Sequence, residues 1–208
     1  LALQRHFDSL GVHGTVVETE APFVYRMRYA LPEPAPLVSI VIPTKDHIET
    51  LDACVMSIAQ KATYANYEIL VENNSEAPET FAYYETLPER VAAASEGKGI
   101  ARVVYWPGEF NYSQIINFGV EHAKGDYLLL LNNDTEVISP DFIEEMMGYL
   151  QRPDAAWWAP SSTLPIIWCS TPALWLACVA HSPMPTRTSR QSARAILPAL
   201  CARATLVP

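Results

Sequence analysis

The stretch Leu37–Asp46, LVSIVIPTKD, decides the fold of this chain. It begins with a short apolar run rich in β-branched residues, which is typical of a strand covered on both faces. A polar turn follows the run, and Asp46 with Glu49 three residues later is a helix-start signal. We therefore expect a buried strand that leads directly into a helix.

The same strand-then-helix pattern recurs along the chain up to about residue 150. We predict strands at Tyr67–Val71, Ala101–Tyr105 and Tyr127–Leu131, and helices over Ala77–Ala94, over Ser113–Lys124 and from Ser139 onward. Pro88 should kink or split the first of these helices, because proline removes a backbone donor. Alternation of this kind predicts a parallel sheet with helices on both faces.

A lead-in precedes this pattern. Its sequence predicts a short helix, strands around Thr15–Glu18 and Val24–Tyr29, and a linker at Leu31–Pro36, whose three prolines fix the backbone. We therefore divide the chain into a lead-in at 1–36, an α/β region at 37–154 and a third segment at 155–208.

The third segment differs from the rest in composition. Residues 1–154 contain all 23 acidic residues, all eight glycines and ten of the 14 Lys and Arg, which gives a net charge of −13. Residues 155–208 contain no Asp, Glu, Lys, Gly, Asn, Tyr or Phe, but four of the five Trp. The acidic balance of the first part argues against a nucleic-acid partner, because phosphate contacts need clustered Lys and Arg.

The residues that follow the predicted strands are the candidates for a binding site, because ligands of open parallel sheets bind at the carboxyl ends of the strands. These segments are polar and rich in Asn: Thr44–Asp46, Glu72–Ser75, Trp106–Tyr112 and Asn132–Asp134. The sequence has no GxxxxGK[ST], GxGxxG or GxSxG motif, which argues against a P-loop, a dinucleotide site and a nucleophile elbow. A carboxylate directly after a buried strand, here Asp134, is suited to a hard divalent cation that bridges nucleotide phosphates.

Three segments together resemble glycosyltransferase family 2: VSIVIPTKD, YEILVENNS and FNYSQIINFGVEHAKGDYLLLLNNDTEVISPDF. The resemblance extends from about Pro34 to Asp154 and points to bacterial enzymes that build O-antigen and other surface polysaccharides. It implies the GT-A fold, an α/β nucleotide-sugar-binding domain with a mostly parallel sheet, of which residues 37–154 would be the donor-binding half. It also implies that a sugar passes from a nucleotide-diphosphate donor to a polysaccharide or lipid-linked acceptor, with inversion and with Mg²⁺ or Mn²⁺.

The resemblance also gives roles to the residues after the first two strands of the α/β region. Pro43 and Thr44 would line the nucleotide pocket. Asp46 would either contact the nucleotide or cap its helix. Glu72 stands where the family usually has Asp, and with Asn73 it would face the base of the nucleotide.

The donor-side helix and the metal motif supply the remaining candidates. Asn111 precedes that helix and would contact the donor or cap the helix, and Asn117 on it would face the donor or only the helix surface. Asn132 and Asp134 stand where the family has its Asp-x-Asp metal motif. Because Asn132 replaces the first Asp, Asp134 is the expected metal ligand, and the donor phosphates must supply more of the ligand field.

The general base is not assigned by this sequence. An inverting transferase needs a group that accepts the proton of the acceptor hydroxyl, and the resemblance places an acid for this after the metal motif. No acidic residue follows Asp154. We therefore expect a truncated, inactive form, and the alternatives are a non-catalytic nucleotide-sugar-binding module or a remnant tethered to a membrane by the uncharged residues 155–180.

We interpret the third segment as the product of a one-base frameshift near Ala155. Assumed codons for Ala156–Thr163, shifted by one base, encode Val-Val-Gly-Ala-Lys-Leu-Tyr, which resembles the segment that the family has there. A poorly ordered segment and an exposed apolar sheet edge would follow. The chain shows no signal peptide, so we expect a cytoplasmic protein, with peripheral association at the inner face of the membrane.

Overall fold

The computed structural model describes residues 2–152 and 155 in full, and the backbone of residues 157–158, 167–169 and 177–180. In chain order the elements are α1 (Ala2–Ser9), β1 (Gly14–Glu18), β2 (Tyr25–Tyr29), β3 (Val38–Thr44), α2 (Ile48–Lys61), β4 (Tyr67–Asn73), α3 (Pro78–Ala94), β5 (Gly99–Tyr105), α4 (Tyr112–His122), β6 (Tyr127–Leu130), β7 (Thr135–Val137), α5 (Phe142–Leu150), β8 (Trp157–Trp158), β9 (Ile167–Cys169) and β10 (Ala177–Ala180). The alternation of strands and helices between residues 37 and 150 is confirmed.

A mixed sheet organises the molecule, with the strand order β5-β4-β3-β6-β10-β8. The four strands β5, β4, β3 and β6 are parallel to one another. Ile40 of β3 lies opposite Ile69 of β4 on one side and Leu129 of β6 on the other. The predicted parallel sheet is therefore present, and the carboxyl ends of its strands meet along one edge.

Helices cover both faces of the parallel part, as the apolar strand sequences require. Alternate residues of β3 and β4, such as Ile40 and Ile69, join the larger core with α2, α3 and α5. The residues between them, such as Val41 and Leu70, pack with Ile116 of α4. Side chains of a strand point alternately to its two faces, so one strand supplies both cores.

Two of the helices, α3 and α5, differ from the prediction by more than a shift of one or two residues at an end. Helix α3 continues through Pro88, because buried Tyr84, Leu87 and Val91 anchor it on both sides of the proline. Helix α5 begins at Phe142 rather than at Ser139, because the Phe142 amide bonds to the Ser139 carbonyl in a turn that precedes the helix.

The open edge of β6 also differs from the prediction. We expected this edge to be exposed, but β10 pairs with it in antiparallel orientation and β8 pairs with β10. The pairing satisfies backbone groups that an edge strand would otherwise leave free. The interpretations of residues 155–208 as frameshifted, poorly ordered or membrane-spanning otherwise fall outside the described residues.

The lead-in docks on α5 through its β1–β2 hairpin. Arg26 forms an ion pair with Glu145 at 2.8 Å, and Arg28 forms one with Asp141 at 3.1 Å. The Tyr29 ring packs against Tyr149 at a centroid distance of 5.5 Å. Among the described residues, no helix has the length and apolar character needed to cross a membrane.

Candidate functional site

A cavity of about 440 Å³ lies at the carboxyl edge of the sheet, between the ends of β3 and β6 and the start of α4. Its lining residues come from three of the four predicted strand-end segments and from positions next to them: Pro43, Thr44, Lys45, Asp46, His47, Phe110, Tyr112, Ile115, Asn132 and Asn133. Four of the predicted donor-binding residues line it, namely Pro43, Thr44, Asp46 and Asn132. The parallel topology thus brings together side chains that lie about 90 residues apart in the sequence.

The loop after β3 has an unusual backbone. Asp46 and His47 both have positive φ, of 53° and 52°, a conformation that non-glycine residues adopt rarely. The Ser75 hydroxyl accepts the Asp46 amide at 2.7 Å, and Thr80 donates to Asp46 Oδ1 at 3.3 Å. These contacts hold the strained loop in place.

Asp46 does not cap helix α2. His47 occupies the N-cap position, without a side-chain hydrogen bond to the helix. The alternative that Asp46 caps its helix is therefore wrong, because its carboxylate is engaged by α3. Asp46 instead connects the cavity rim to the end of β4. This link could not be predicted from local pattern, because Ser75 and Thr80 come from another segment of the chain.

The end of β4 is held by an inward hydrogen-bond network. The Asn73 side-chain oxygen accepts the Ser75 amide at 2.6 Å and the Tyr84 hydroxyl at 3.3 Å. The Asn73 carbonyl accepts the Trp106 amide at 2.9 Å. Asn73 does not line the cavity but fixes the loop beside it.

Glu72 lies next to Asn73 on the opposite face of β4, and it is fully buried. In the described part of the chain neither carboxyl oxygen has a hydrogen-bond partner. Burial raises the pKa of Glu72 to about 8, because the charged form cannot be solvated there. A Cβ atom at Gly119 of α4 would overlap Glu72 Oε1, so Glu72 points to α4 and is not part of the cavity wall.

Hydrogen bonds hold the turn after β6 at both of its ends. The Asn132 carbonyl accepts the Thr135 hydroxyl at 2.8 Å and the Cys54 thiol at 3.6 Å. Asn133 donates from its side chain to the Thr44 hydroxyl at 3.1 Å, which links the ends of β6 and β3. The structural role of Asn133 was missed, although an Asn pair directly after a buried strand signalled a constrained turn.

Asp134 follows these two residues, is partly exposed and does not line the cavity. Among the described residues, no three His, Cys, Asp or Glu side chains form a group that could hold a metal. The turn does present hard oxygen donors, one carboxylate and two Asn side chains, which suit Mg²⁺ or Mn²⁺. The residues thus fit a divalent ion whose remaining ligands come from a phosphorylated ligand.

At the start of α4, the Asn111 side chain accepts the Gln114 amide at 3.1 Å. Asn111 is therefore the N-cap of α4, as one of its two predicted roles required. Asn117 is partly buried on α4 and does not line the cavity. Phe110 and Tyr112, which flank Asn111, line it instead, and Phe110 is 65% exposed. Both aromatic residues lie in the predicted strand-end segment Trp106–Tyr112, but neither was assigned as a donor-binding residue.

Comparisons with known proteins agree with this architecture. The family model described as glycosyl transferase family 2 matches residues 39–162. The O-antigen biosynthesis protein RfbC of Myxococcus xanthus is 36% identical over 155 residues, which are 74% of this chain and 11% of that protein. An uncharacterised protein of Sinorhizobium fredii is 36% identical over 157 residues, which are 73% of this chain and 16% of that protein. The chain thus spans a small part of the length of both curated relatives.

A solved structure gives the fold. The mannosyltransferase PcManGT of Pyrobaculum calidifontis, in complex with GDP-Man and Mn²⁺, matches with a TM-score of 0.51 and 16% identity. The match covers 61% of this chain and 36% of that one. With the matched family model and the parallel sheet, it establishes that the chain belongs to glycosyltransferase family 2 and has the GT-A fold.

Proposed function

We propose that residues 37–154 are the donor-binding half of an enzyme that transfers a sugar from a nucleotide-diphosphate donor, with inversion, to a polysaccharide or lipid-linked acceptor, and that this chain is a truncated, inactive form of that enzyme. The cavity at the carboxyl edge, in a domain of this family, is the observation on which the proposal rests. Its walls combine apolar and aromatic surface with amide and hydroxyl groups, a mixture that suits a nucleotide sugar.

The predicted site residues divide into two groups in this proposal. Pro43, Thr44 and Asn132 line the cavity and would contact the donor. Asp46 and Asn73 hold the loops around it through the hydrogen bonds to Ser75. Asn111 and Asn117 remain proposed donor contacts that would require α4 to present them to a bound nucleotide.

Glu72 would reach the nucleotide base only if its carboxyl turned away from Gly119. Its present position is fully buried. A base contact by Glu72 therefore remains a proposal that depends on a rearrangement at the end of β4.

A divalent ion, Mg²⁺ or Mn²⁺, belongs to the proposal as a cofactor held by Asp134. When bound, such an ion neutralises charge on a departing nucleoside diphosphate. Asp134 supplies one negative charge, and the two Asn residues before it supply neutral oxygens, so the donor diphosphate completes the site.

The O-antigen role of the Myxococcus relative supports a polysaccharide acceptor. Such an acceptor fits a cytoplasmic enzyme with peripheral association at the inner face of the membrane.

Equilibrium binding of UDP and GDP to the 208-residue chain, with Mn²⁺ or with a chelator, tests this function. Asp134→Ala should abolish the increase in affinity that Mn²⁺ gives. The matched control is Asp126→Ala, which removes an exposed Asp before the amino end of the same strand and should leave binding unchanged. An unchanged Mn²⁺ effect in Asp134→Ala would overturn the metal site, and a wild-type chain that bound neither nucleotide would overturn donor binding.

The second candidate function is a nucleotide-sugar-binding module without transferase activity. It is favoured by the segment Asn132–Asp134, which has a single carboxylate where the family has its Asp-x-Asp metal motif. Both functions predict nucleotide binding, so they are separated by release or transfer of a labelled sugar in a chain whose reading frame is restored after codon 155. Activity above that of the Asp134→Ala variant would exclude the binding module.

We also propose that the reading frame changes near codon 155. The abrupt loss of Gly, Lys and acidic residues supports this proposal. Sequencing of the DNA across codons 148–208 tests it: a missing or extra base near codon 155 is expected. A DNA sequence that encodes residues 155–208 as given would refute it.

A further inference from the structure

The cavity holds a basic side chain that has no role in the functions above. Lys45 lines the cavity wall, and His47 lies beside it on the same loop. In the described part of the chain, Lys45, like Lys98 and Lys124, takes part in none of the ion pairs, which engage Arg26, Arg28, Arg90, Arg102 and Lys61. Of these three lysines, Lys45 is the one that lines the cavity. An ammonium group without a carboxylate partner is available to an anion that enters the cavity.

The surroundings of Lys45 favour an anion over a cation. Among the described residues that line the cavity, Asp46 is the one acidic residue, and its carboxylate accepts a hydrogen bond from Thr80 of α3. Helix α2 begins directly after His47, and the start of a helix carries a partial positive charge. This local balance contrasts with the net charge of −13 of residues 1–154.

The loop backbone supports a functional role for these side chains. Consecutive positive φ angles at Asp46 and His47 cost free energy, and such strain is retained where the surrounding structure enforces it, often at ligand sites. Here Ser75 and Thr80 enforce it through their contacts to Asp46. The strained loop holds Lys45 and His47 at the cavity wall.

We propose that Lys45, assisted by His47, contacts the diphosphate of the donor, so that part of the nucleotide affinity does not depend on a divalent ion. This inference rests on the proposed function, because it assumes that a nucleoside diphosphate occupies the cavity. It also accounts for a metal motif with only one carboxylate. With Lys45 at the cavity wall, the chain itself supplies part of the positive charge that neutralises the diphosphate, whereas at a two-carboxylate site the metal ion would supply it.

The experiment measures the affinity of the 208-residue chain for UDP and for GDP in a chelator and in Mn²⁺. Lys45→Gln should weaken binding about tenfold under both conditions, as expected for loss of a hydrogen bond to a charged group, and Lys45→Arg should restore most of the affinity. Lys98→Gln is the matched control, because Lys98 is also exposed but precedes β5 at the amino edge of the sheet. Thermal unfolding of each variant confirms that the fold is intact.

Each outcome decides between the two proposals. Wild-type affinity in Lys45→Gln, or wild-type binding that disappears completely in the chelator, would overturn the role of Lys45 and leave the proposed function standing. A wild-type chain that bound neither nucleotide under either condition would overturn the proposed function, and the role of Lys45 with it.

Discussion

Glu68 and Glu72 lie on the same face of strand β4, near its amino and carboxyl ends, and both are fully buried. Glu68 accepts hydrogen bonds from the Ser39 hydroxyl at 2.6 Å, the Lys124 amide at 2.7 Å and the Arg102 guanidinium at 2.8 Å. Glu72 has no hydrogen-bond partner among the described residues. One strand thus contains a fully compensated buried carboxylate and an uncompensated one, four residues apart.

The two environments move the pKa values in opposite directions. Burial alone would raise the pKa of Glu68, but the bonds from Ser39, Lys124 and Arg102 outweigh it and hold the pKa below its ordinary value. Burial without compensation raises the pKa of Glu72 to about 8. Glu68 is therefore a charged group that joins β3, β4, β5 and the end of α4, whereas Glu72 is largely neutral at pH 7.

The difference separates the stabilising end of the sheet from its functional end. At the amino edge, the Glu68 carboxylate is compensated by Ser39, Lys124 and Arg102, although the buried Tyr67 hydroxyl beside it has no hydrogen-bond partner among the described residues. Among the described residues of the carboxyl edge, Glu72 lacks a hydrogen-bond partner, Lys45 takes part in none of the ion pairs and the loop at Asp46 is strained. Native proteins tolerate such departures mainly where function requires them. We therefore expect substitutions at the two ends of β4 to affect stability in opposite ways.

Glu72→Gln should have the largest effect on stability, and the effect should depend on pH. The folded pKa of Glu72 is raised, so the wild-type protein loses stability as the pH rises from the ordinary value of 4.5 to about 8. A rise from 4.5 to about 8 corresponds to roughly 5 kcal/mol. The variant should therefore be more stable than the wild type at pH 8, and this advantage should disappear near pH 4.5.

Urea unfolding at several pH values measures this difference. A constant offset between the two proteins would report only the packing of the amide, so the pH-dependent part is the test. A stability difference that stayed the same from pH 4.5 to pH 8 would show that Glu72 is not a neutral buried acid.

Arg102→Met should have the next largest effect, with the opposite sign. It removes both guanidinium hydrogen bonds to Glu68 and leaves a buried charge with reduced compensation, which should cost about 3 kcal/mol at neutral pH. The wild-type stability that comes from the lowered pKa of Glu68 is present above pH 4.5 and is lost as the pH falls through the folded pKa. The gap between wild type and variant should therefore narrow in acid.

Arg90→Met is the matched control for this substitution. Arg90 forms an ion pair with Asp52 at 2.7 Å, but both side chains are substantially exposed. A pair of this kind contributes less than about 1 kcal/mol. If both variants lost the same free energy of unfolding, the Glu68 network would have no special role in the sheet.

The two glutamates also show what the sequence could predict. The apolar runs predicted the positions of the strands, and their alternation with helices predicted the parallel sheet. Both signals depend only on the local sequence pattern. The segment YEILVEN, however, offers two similar Glu residues. The resemblance selected Glu72, whereas Glu68 was missed because its partners Ser39, Arg102 and Lys124 come from three other segments.

The site was predicted in part for the same reason. The strand-end rule located the cavity and residues Thr44 and Asn132, since topology alone brings strand ends together. The hydrogen bonds that hold Asp46 to Ser75 and Thr80 were not predicted, because they depend on contacts between different segments of the chain.

In the fold, the three-residue strand β7 was also missed, because a run of that length is too short to show a periodicity.

Gly119→Ala should have the smallest effect of the three and locates the Glu72 carboxyl. A methyl group on Gly119 would overlap Glu72 Oε1 and approach Val41 Cγ1 within 2.8 Å, which should cost about 2 kcal/mol of unfolding free energy. In a Glu72→Ala background the same substitution should cost clearly less, because the overlap with Glu72 is gone, only the contact with Val41 remains, and Ala is preferred to Gly in a helix. Gly148→Ala in α5, whose new methyl would lie 3.2 Å from Tyr29 Cβ, should cost the same in both backgrounds.

If the cost of Gly119→Ala did not change when Glu72 was replaced, the Glu72 carboxyl would not point to α4. The non-additivity of the Gly119 and Glu72 substitutions measures the contact between the two residues directly.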